Sequence, residues 1–338
     1  MTVSEILKGT CVISVSGDAG RTVTDIQFDS RKVKPGSVFV AVRGTNSDGH
    51  NFIGKAVENG AAAIICEMIP PSPAENVTWI LTGNSAEALG TVSSAFYGNP
   101  SSKLKLTGVT GTNGKTTIAT LLYRMFSSLG YKSGLLSTVC NYVVDRELPS
   151  RLTTPDPVEI NSLLAQMVDA GCDYAFMEVS SHSADQNRIA GLNFEGGIFT
   201  NLTHDHLDYH KTFDNYLEAK KKFFDGLSSR AFALVNSDDK NGKVMVQNCK
   251  ARKYFYSIHG IADFRCTIVE QSFGGMGLRI NGEEVWTRIA GEFNASNLLA
   301  VYGASVLLGA AKEEVLTILS DLRPVPGRLE IISGGNNI

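Results

Sequence analysis

The sequence is short of the features that mark membrane, secreted and nucleic-acid-binding proteins. No run approaches the roughly 18 consecutive apolar residues of a membrane span. Met1-Thr2-Val3-Ser4-Glu5 reads as lacking the basic segment and apolar run of a secretory signal. The formal net charge is only −3, so no basic excess points to a nucleic-acid backbone or an anionic membrane surface. None of the six cysteines, at 11, 66, 140, 172, 249 and 266, stands in a C-x-x-C pair. That argues against a zinc knuckle or a thioredoxin-like site, and predicts reduced, mostly buried thiols in a cytoplasmic protein. Neither a repeat nor a low-complexity tract interrupts the 338 residues. The remainder, 43% apolar and 19% charged, is ordinary globular material of two- or three-domain length.

The first hundred residues read as a small α/β unit. Strands are expected at 37–42 and 61–66, with a loop over 44–49 and a helix over 52–58 between them. The breaker-rich Gly98-Asn99-Pro100-Ser101-Ser102 marks a boundary, which gives domains 1–100 and 101–331, with 332–338 opening a linker. Beyond it strands and helices alternate. A strand over 104–110 precedes a helix with Ile118, Leu121, Leu122, Met125 and Leu129 on one face. Asp156-Pro157-Val158-Glu159 then starts another helix, and strands are expected at 174–179, 198–202 and 232–235. This alternation predicts a mainly parallel sheet flanked by helices. Ligands then belong beyond the carboxyl ends of the strands, where Gly111, Ser180, Thr203 and Asn236 fall. Short antiparallel strands are expected at 264–269, 277–280 and 285–289, and helices at about 295–308 and 312–319.

Gly111-Thr112-Asn113-Gly114-Lys115-Thr116-Thr117 lies where a strand feeds a helix. The backbone N–H groups of such a turn cradle phosphates. Lys115 would reach the outer phosphates and Thr116 a Mg²⁺ ion. The common G-x-x-x-x-G-K-[ST] spacing wants glycine at 109, where this chain has Val109, so the loop is a variant. A chance glycine-rich turn is the plain alternative.

Four further features carry chemistry or a blander reading. His204-Asp205-His206-Leu207-Asp208-Tyr209-His210 resembles the H-x-H-x-D-H cluster of dinuclear zinc hydrolases, with Tyr209 interrupting the spacing; it is a polar turn or a magnesium and phosphate site. Glu178 closes an apolar strand, so its carboxylate is either satisfied in the core or a hard-cation ligand. Lys220 falls inside the stripe Phe213, Tyr216, Leu217, Phe223, Phe224, Leu227 of a helix over 212–227, while Lys221 and Lys222 are expected to point elsewhere. It either snorkels along its stem or is buried, loses its proton and can take up CO₂ as a carbamate, an anionic magnesium ligand. Asn294 and Asn297 open a helix and are caps or adenine contacts.

Taken together, these residues resemble the Mur ligase family, the cytoplasmic enzymes that build the peptidoglycan stem peptide, and most of all the member that adds its third residue. The resemblance rests on Thr110 to Thr117, Thr153-Thr154-Pro155, Glu178-Val179-Ser180-Ser181-His182, Asp205 to His210, Glu218-Ala219-Lys220, Phe293 to Asn297 and Pro326-Gly327-Arg328-Leu329-Glu330. Asp29-Ser30-Arg31, Phe39-Val40-Ala41 and Asp48-Gly49-His50 extend it over essentially the whole chain. It implies that Ser30 with Thr45, Asn46 and Ser47 holds a uridine nucleotide, and that Thr153, Thr154, Ser180, Gln186 and Arg188 hold a muramoyl dipeptide. Gly111 to Thr117 would bind ATP, and Thr116, Glu178, His206 and carbamylated Lys220 would organise Mg²⁺. Asn294 and Asn297 would lie near adenine, and Arg328 near the nucleotide. The implied reaction moves the γ-phosphoryl of ATP to a D-glutamate carboxylate, and a diamino acid attacks the acyl phosphate. A monomer is expected, with no nucleic acid or membrane as partner.

Family members continue into a third domain, which binds the incoming amino acid. The sequence is therefore expected to be a two-domain piece that binds the UDP-linked substrate and turns over poorly, and the choice between diaminopimelate and lysine stays open. The sister ligase that adds D-alanyl-D-alanine differs at Asp205–His210, and folylpolyglutamate synthetases lack a counterpart of the first hundred residues. A non-catalytic UDP-precursor-binding protein and a zinc hydrolase are the readings from other classes.

Overall fold

Short β-branched and apolar runs, punctuated by glycine turns, build two sheets. The computed structural model describes residues 1–45, 47–205, 207–272 and 274–325; Asn46, His206 and Arg328 therefore lie outside the described residues. The chain divides into two compact units. One comprises 1–103 with 155–169 and 182–193, the other 104–154, 170–181 and the remainder from 194.

The first unit opens with α1 (Val3–Ile6) and contains β1 (Ser14–Ser16), β2 (Asp25–Gln27), β3 (Ser37–Val40), α2 (Ile53–Glu58), β4 (Ala63–Cys66), β5 (Thr78–Leu81) and α3 (Ser85–Phe96). Its sheet order is β1-β5-β4-β3-β2, with β2 through β5 parallel and β1 antiparallel at the edge. β3 and β4 are buried throughout, as strands covered on both faces must be. One face packs on Val3, Ile6, Ala88, Leu89 and Val92; the other, which carries Trp79, packs on Ile53 and Ala56.

The second unit is built on β6 (Lys105–Thr110), α4 (Lys115–Ser128), β7 (Ser133–Leu136), β8 (Cys140–Val143) and β9 (Arg146–Pro149). Helix α5 (Pro157–Asp169) follows and packs with the first unit. Asp156 caps it, its carboxylate accepting from the Glu159 N–H at 3.0 Å. The chain continues through β10 (Tyr174–Glu178), α6 (Ser181–Asp185), β11 (Gly196–Phe199), α7 (Leu207–His210), α8 (Phe213–Asp225), β12 (Phe232–Asn236), α9 (Gly242–Met245) and β13 (Arg252–Ser257). It ends in β14 (Phe264–Ser272), β15 (Gly275–Ile280), β16 (Glu283–Thr287), α10 (Glu292–Leu307) and α11 (Lys312–Asp321). The sheet order is β16-β15-β14-β13-β12-β11-β6-β10-β7-β8-β9. Its centre, β7 through β14, is parallel, and antiparallel strands close both edges. The expected fold class, α/β with mainly parallel sheets flanked by helices, is the one observed.

Helices α4 and α10 bury Ile118, Leu121, Leu122, Met125, Leu298 and Leu299 against Val109, Phe176, Ile198 and Leu234 of the central strands. The ends of β6, β10, β11 and β12 therefore all open on one edge of a rigid sheet. Among the described residues no helix is long and apolar enough to cross a membrane. All six cysteines are free, and Cys66, Cys172, Cys249 and Cys266 are buried.

Candidate active site

The phosphate loop joins β6 to α4, and steric fit fixes its shape. Gly111 has φ +146°, and a Cβ there would collide with Thr200 Oγ1. Gly114 has φ +87°, and its Cβ would lie 2.6 Å from Asn297 Oδ1. Both positions therefore require glycine. The segment after β11 braces the loop: Thr112 N–H donates to Asn201 O (2.8 Å), and Asn113 N–H to Asn201 Oδ1 (3.0 Å). Thr200 Oγ1 donates to Asn113 O (2.6 Å). Two loop amides are thus committed to Asn201.

Lys115 Nζ donates to the Gly111 and Thr112 carbonyls at 2.9 and 2.8 Å. Lys220 Nζ donates to the same Gly111 carbonyl at 2.8 Å. Lys220 is 1% exposed, and its ammonium lies 4.9 Å from the Tyr216 ring centroid. Burial, and secondarily the Lys115 charge, pull its pKa well below the ordinary lysine value, with Asp205 opposing. The stripe on α8 thus holds a buried lysine and not one that snorkels to solvent. Lys221 departs from expectation: it is also buried, at 4% exposure, because it pairs with Asp225 one turn on at 2.6 Å.

Tyr216 ties this helix to the loop. Its hydroxyl sits 3.0 Å from Thr112 Oγ1, which accepts from the Thr203 N–H at 2.9 Å. Burial, against the Thr112 hydrogen bond, pushes the phenol up to about 12, so it stays protonated. His210 Nε2 lies 3.0 Å from Ser181 Oγ.

Glu178 ends β10 at 1% exposure. Its Oε1 accepts from the Thr138 N–H and hydroxyl at 2.7 and 3.0 Å, whereas Oε2 is buried with no hydrogen-bond partner among the described residues. A buried, half-unpaired carboxylate is costly, and a hard cation would satisfy it. Among the described residues no group of three or more His, Cys, Asp or Glu could hold a metal ion, so Glu178 offers one hard oxygen donor and not a complete site. Thr116, expected as a ligand together with Lys220, is buried at the start of α4.

Thr154 is also buried; its hydroxyl donates to Glu178 O (2.7 Å) and accepts from Ser180 N–H (3.1 Å), which shapes the turn after β10. Thr153 Oγ1 lies 3.1 Å from Thr138 Oγ1, whose proton goes to Glu178, so Thr153 is the donor of that pair. In the first unit, Arg188 donates to Gln186 Oε1 at 2.6 and 3.0 Å, Ser30 is buried, and Thr45 and Ser47 are exposed.

Beside the loop lies a cavity of about 760 Å³, lined by Asn113, Gly114, Thr117, Asn236, Asn294 and Asn297. Asn294 and Asn297 thus meet the phosphate loop across more than 170 residues of sequence. The cavity also takes in Phe293, the first residue of the Phe293 to Asn297 motif, and Asp238, Ile258 and His259, which the sequence reading missed. Asp238 fixes the turn after β13, accepting from Ser257 Oγ and from Ile258 N–H (2.8 Å). The signal for it was its position just past a strand end.

Residues 109–305 match the Mur ligase middle domain, and residues 22–97 match the Mur ligase family, catalytic domain. The chain belongs to the Mur ligase family. It is 57% identical over 98% of its length to the UDP-N-acetylmuramoyl-L-alanyl-D-glutamate--2,6-diaminopimelate ligase of Phocaeicola vulgatus, of which it covers 68%. It is 61% identical over 92% of its length to the ligase of that name from Parabacteroides distasonis, covering 64% of that protein. Among solved structures, a UDP-N-acetylmuramoyl-L-alanyl-D-glutamate--2,6-diaminopimelate ligase superposes with a TM-score of 0.84 at 26% identity, over 99% of this chain and 69% of that one. The MurF ligase of Thermotoga maritima, solved in complex with ADP, shares the Mur ligase fold at a TM-score of 0.59 and 22% identity, over 93% of this chain and 69% of that one. The chain thus spans about two thirds of these relatives.

Proposed function

We propose that the chain carries the substrate-binding and phosphoryl-transfer machinery of an ATP-dependent ligase that joins diaminopimelate to UDP-N-acetylmuramoyl-L-alanyl-D-glutamate in peptidoglycan synthesis. The observation that carries this reading is the gathering of Lys115, Lys220 and the half-unpaired Glu178 carboxylate at the carboxyl edge of one parallel sheet.

In this reading the unit containing residues 1–103 receives the uridine nucleotide through Ser30, Thr45, Asn46 and Ser47. Thr153, Thr154, Ser180, Gln186 and Arg188 serve the muramoyl dipeptide, and the protein is a cytoplasmic monomer. The second unit receives ATP, its phosphates at the start of α4 and its base in the cavity beside Asn294 and Asn297, with Arg328 near the nucleotide. Thr116, Glu178, His206 and Lys220, the last as its carbamate, would hold magnesium, which offsets phosphate charge when bound. Lys115 moves from the loop carbonyls to the outer phosphates and stabilises charge as the γ-phosphoryl passes to the D-glutamate γ-carboxylate. The amine of diaminopimelate then displaces phosphate to leave the amide.

Calorimetry with UDP-N-acetylmuramoyl-L-alanyl-D-glutamate and with a non-hydrolysable ATP analogue plus Mg²⁺ tests the reading. Each should bind once per chain, with Glu178→Gln weakening only the second. Absence of binding for either ligand would sink it.

A further inference from the structure

The Asp48-Gly49-His50 motif has no assigned part in the chemistry, yet its side chains are tied into a closed network. β3 and β4 are parallel neighbours, and the network joins the segments that leave their carboxyl ends. His50 Nε2 faces the Glu67 N–H at 2.9 Å. A backbone amide only donates, so Nε2 carries the lone pair and Nδ1 the proton. Nδ1–H then donates to Asp48 Oδ1 at 2.6 Å, and the same oxygen accepts from the His50 N–H at 2.9 Å. The imidazole is only 9% exposed.

Asp48 is in turn the stem of the loop. It pairs with Arg43 at 3.4 Å, and Arg43 reaches Glu67 at 3.6 Å. Glu67 Oε1 accepts from the Ser85 N–H and hydroxyl at 3.0 and 2.8 Å. Arg43 and Asp48 face each other as an antiparallel bridge, closed further by Gly44 N–H to Ser47 O at 3.0 Å. Gly49 lets the backbone close: its N–H donates to Val42 O at 2.9 Å, and a Cβ would lie 2.7 Å from Val42 N. Thr45 and Ser47 stand on a stem whose charged groups, Arg43, Asp48 and Glu67, all meet around one neutral imidazole.

We propose that His50 is a positioning residue for the uridine-nucleotide site: as the Nδ1–H tautomer it sets the Asp48 carboxylate, and through it the loop flanks that present Thr45 and Ser47. This rests on the reading of Ser30, Thr45 and Ser47 as nucleotide contacts. The carboxylate, not general packing, is the element that His50 controls.

Two near-isosteres separate its two bonds. In His50→Asn the amide nitrogen replaces Nδ1 and keeps the donor to Asp48. In His50→Gln the amide oxygen replaces Nε2 and keeps only the acceptor for Glu67. Affinity for UDP-N-acetylmuramoyl-L-alanyl-D-glutamate, measured by calorimetry on the full chain, should fall about tenfold in His50→Gln and less than about threefold in His50→Asn. Thermal midpoints should drop similarly in both. ¹⁵N spectra of the wild-type imidazole should show a protonated Nδ1. Equal affinity losses that track the midpoints, or a proton on Nε2, would reduce His50 to a structural staple and overturn the proposal. So would wild-type affinity in His50→Gln while Ser30→Ala and Thr45→Ala bind weakly. If Ser30→Ala and Thr45→Ala bind like wild type, the site reading itself fails, and the proposal with it.

Discussion

Two loops in this chain follow the carboxyl ends of parallel strands, and different forces hold them. The phosphate loop after β6 is locked by shape: glycines at positive φ, with Thr200 and Asn297 filling the space a side chain would need. The loop after β3 is tethered by charge: Arg43 pairs with Asp48 and Glu67 around its stem, and the neutral His50 ring donates to Asp48. A loop held by shape tolerates changes of pH and salt but not an added methyl group. A loop held by half-exposed ion pairs is sensitive to pH and salt as well, even though Gly49 at its base is packed as tightly.

The largest expected effect tests the steric half of this contrast. Gly111→Ala must relieve a collision with Thr200 while holding a backbone angle that L-residues avoid. It should cost about 3 kcal/mol or more of stability and abolish binding of an ATP analogue. Near wild-type nucleotide affinity would break the contrast.

Next comes the buried cation beside the same loop. Lys220→Met removes a desolvated ammonium next to Lys115, and the Gly111 carbonyl keeps Lys115 as a donor. The variant should gain roughly 1–3 kcal/mol of stability, a rise of a few degrees in thermal midpoint for a unit of this size, while Mg²⁺-dependent nucleotide binding collapses. Because the folded pKa of Lys220 is depressed, the unfolded chain binds more protons below the ordinary value of 10.5. Wild-type stability should therefore rise with pH towards that value, and Lys220→Met should flatten the slope. A variant less stable than wild type would count against a costly, desolvated Lys220 amine.

Tyr216→Phe is a smaller perturbation. It deletes the hydroxyl opposite Thr112 and should cost about 1 kcal/mol, with a few-fold loss in nucleotide affinity. Unchanged affinity would show that Thr203 and Asn201 brace the loop without help from α8.

The smallest effect probes the tethered loop. The His50 backbone N–H, then its ring, hold the Asp48 carboxyl below the usual range. Burial pushes Glu67 up, and its hydrogen bonds from Ser85, with Arg43 and His50, more than reverse this. Depressed carboxyl pKa values contribute stability that is present above the ordinary values of 3.8 and 4.5, and that is lost as pH falls through the lower folded values. Trp79, buried in the first unit, reports this in a Trp286→Phe background. Its unfolding midpoint should fall between pH 5 and 3 and shift modestly with salt, while a midpoint indifferent to both would deny the loop its electrostatic tether.

Much of the α/β plan could be read from the sequence, because alternating apolar runs and glycine stops report strand and helix directly. Strands at 105–110, 174–178 and 232–236 lie within a residue or two of expectation. Lys220 was legible because a helical stripe records which side faces the core. Lys221 was not, since its burial depends on the Asp225 partner and not on the stripe. The α3 helix went unread because Ser, Ala and Gly residues bury its face with little apolar contrast. Helix α5 looked like part of the second unit, because sequence order says nothing of which sheet a helix covers. The cavity residues Asp238 and His259 lie on strand-end turns, whose spacing carries no motif.

The phosphate loop holds its own lysine in check. With its ammonium lodged on the Gly111 and Thr112 carbonyls, Lys115 presents no naked charge, so the loop has little need to recruit a stray anion. An arriving nucleotide exchanges two existing bonds for new ones, and only the difference appears as affinity. Capture should therefore include a unimolecular rearrangement after encounter. Rapid-mixing traces with a fluorescent ATP analogue would then level off at high ligand instead of climbing linearly, and Lys115→Ala would remove that ceiling.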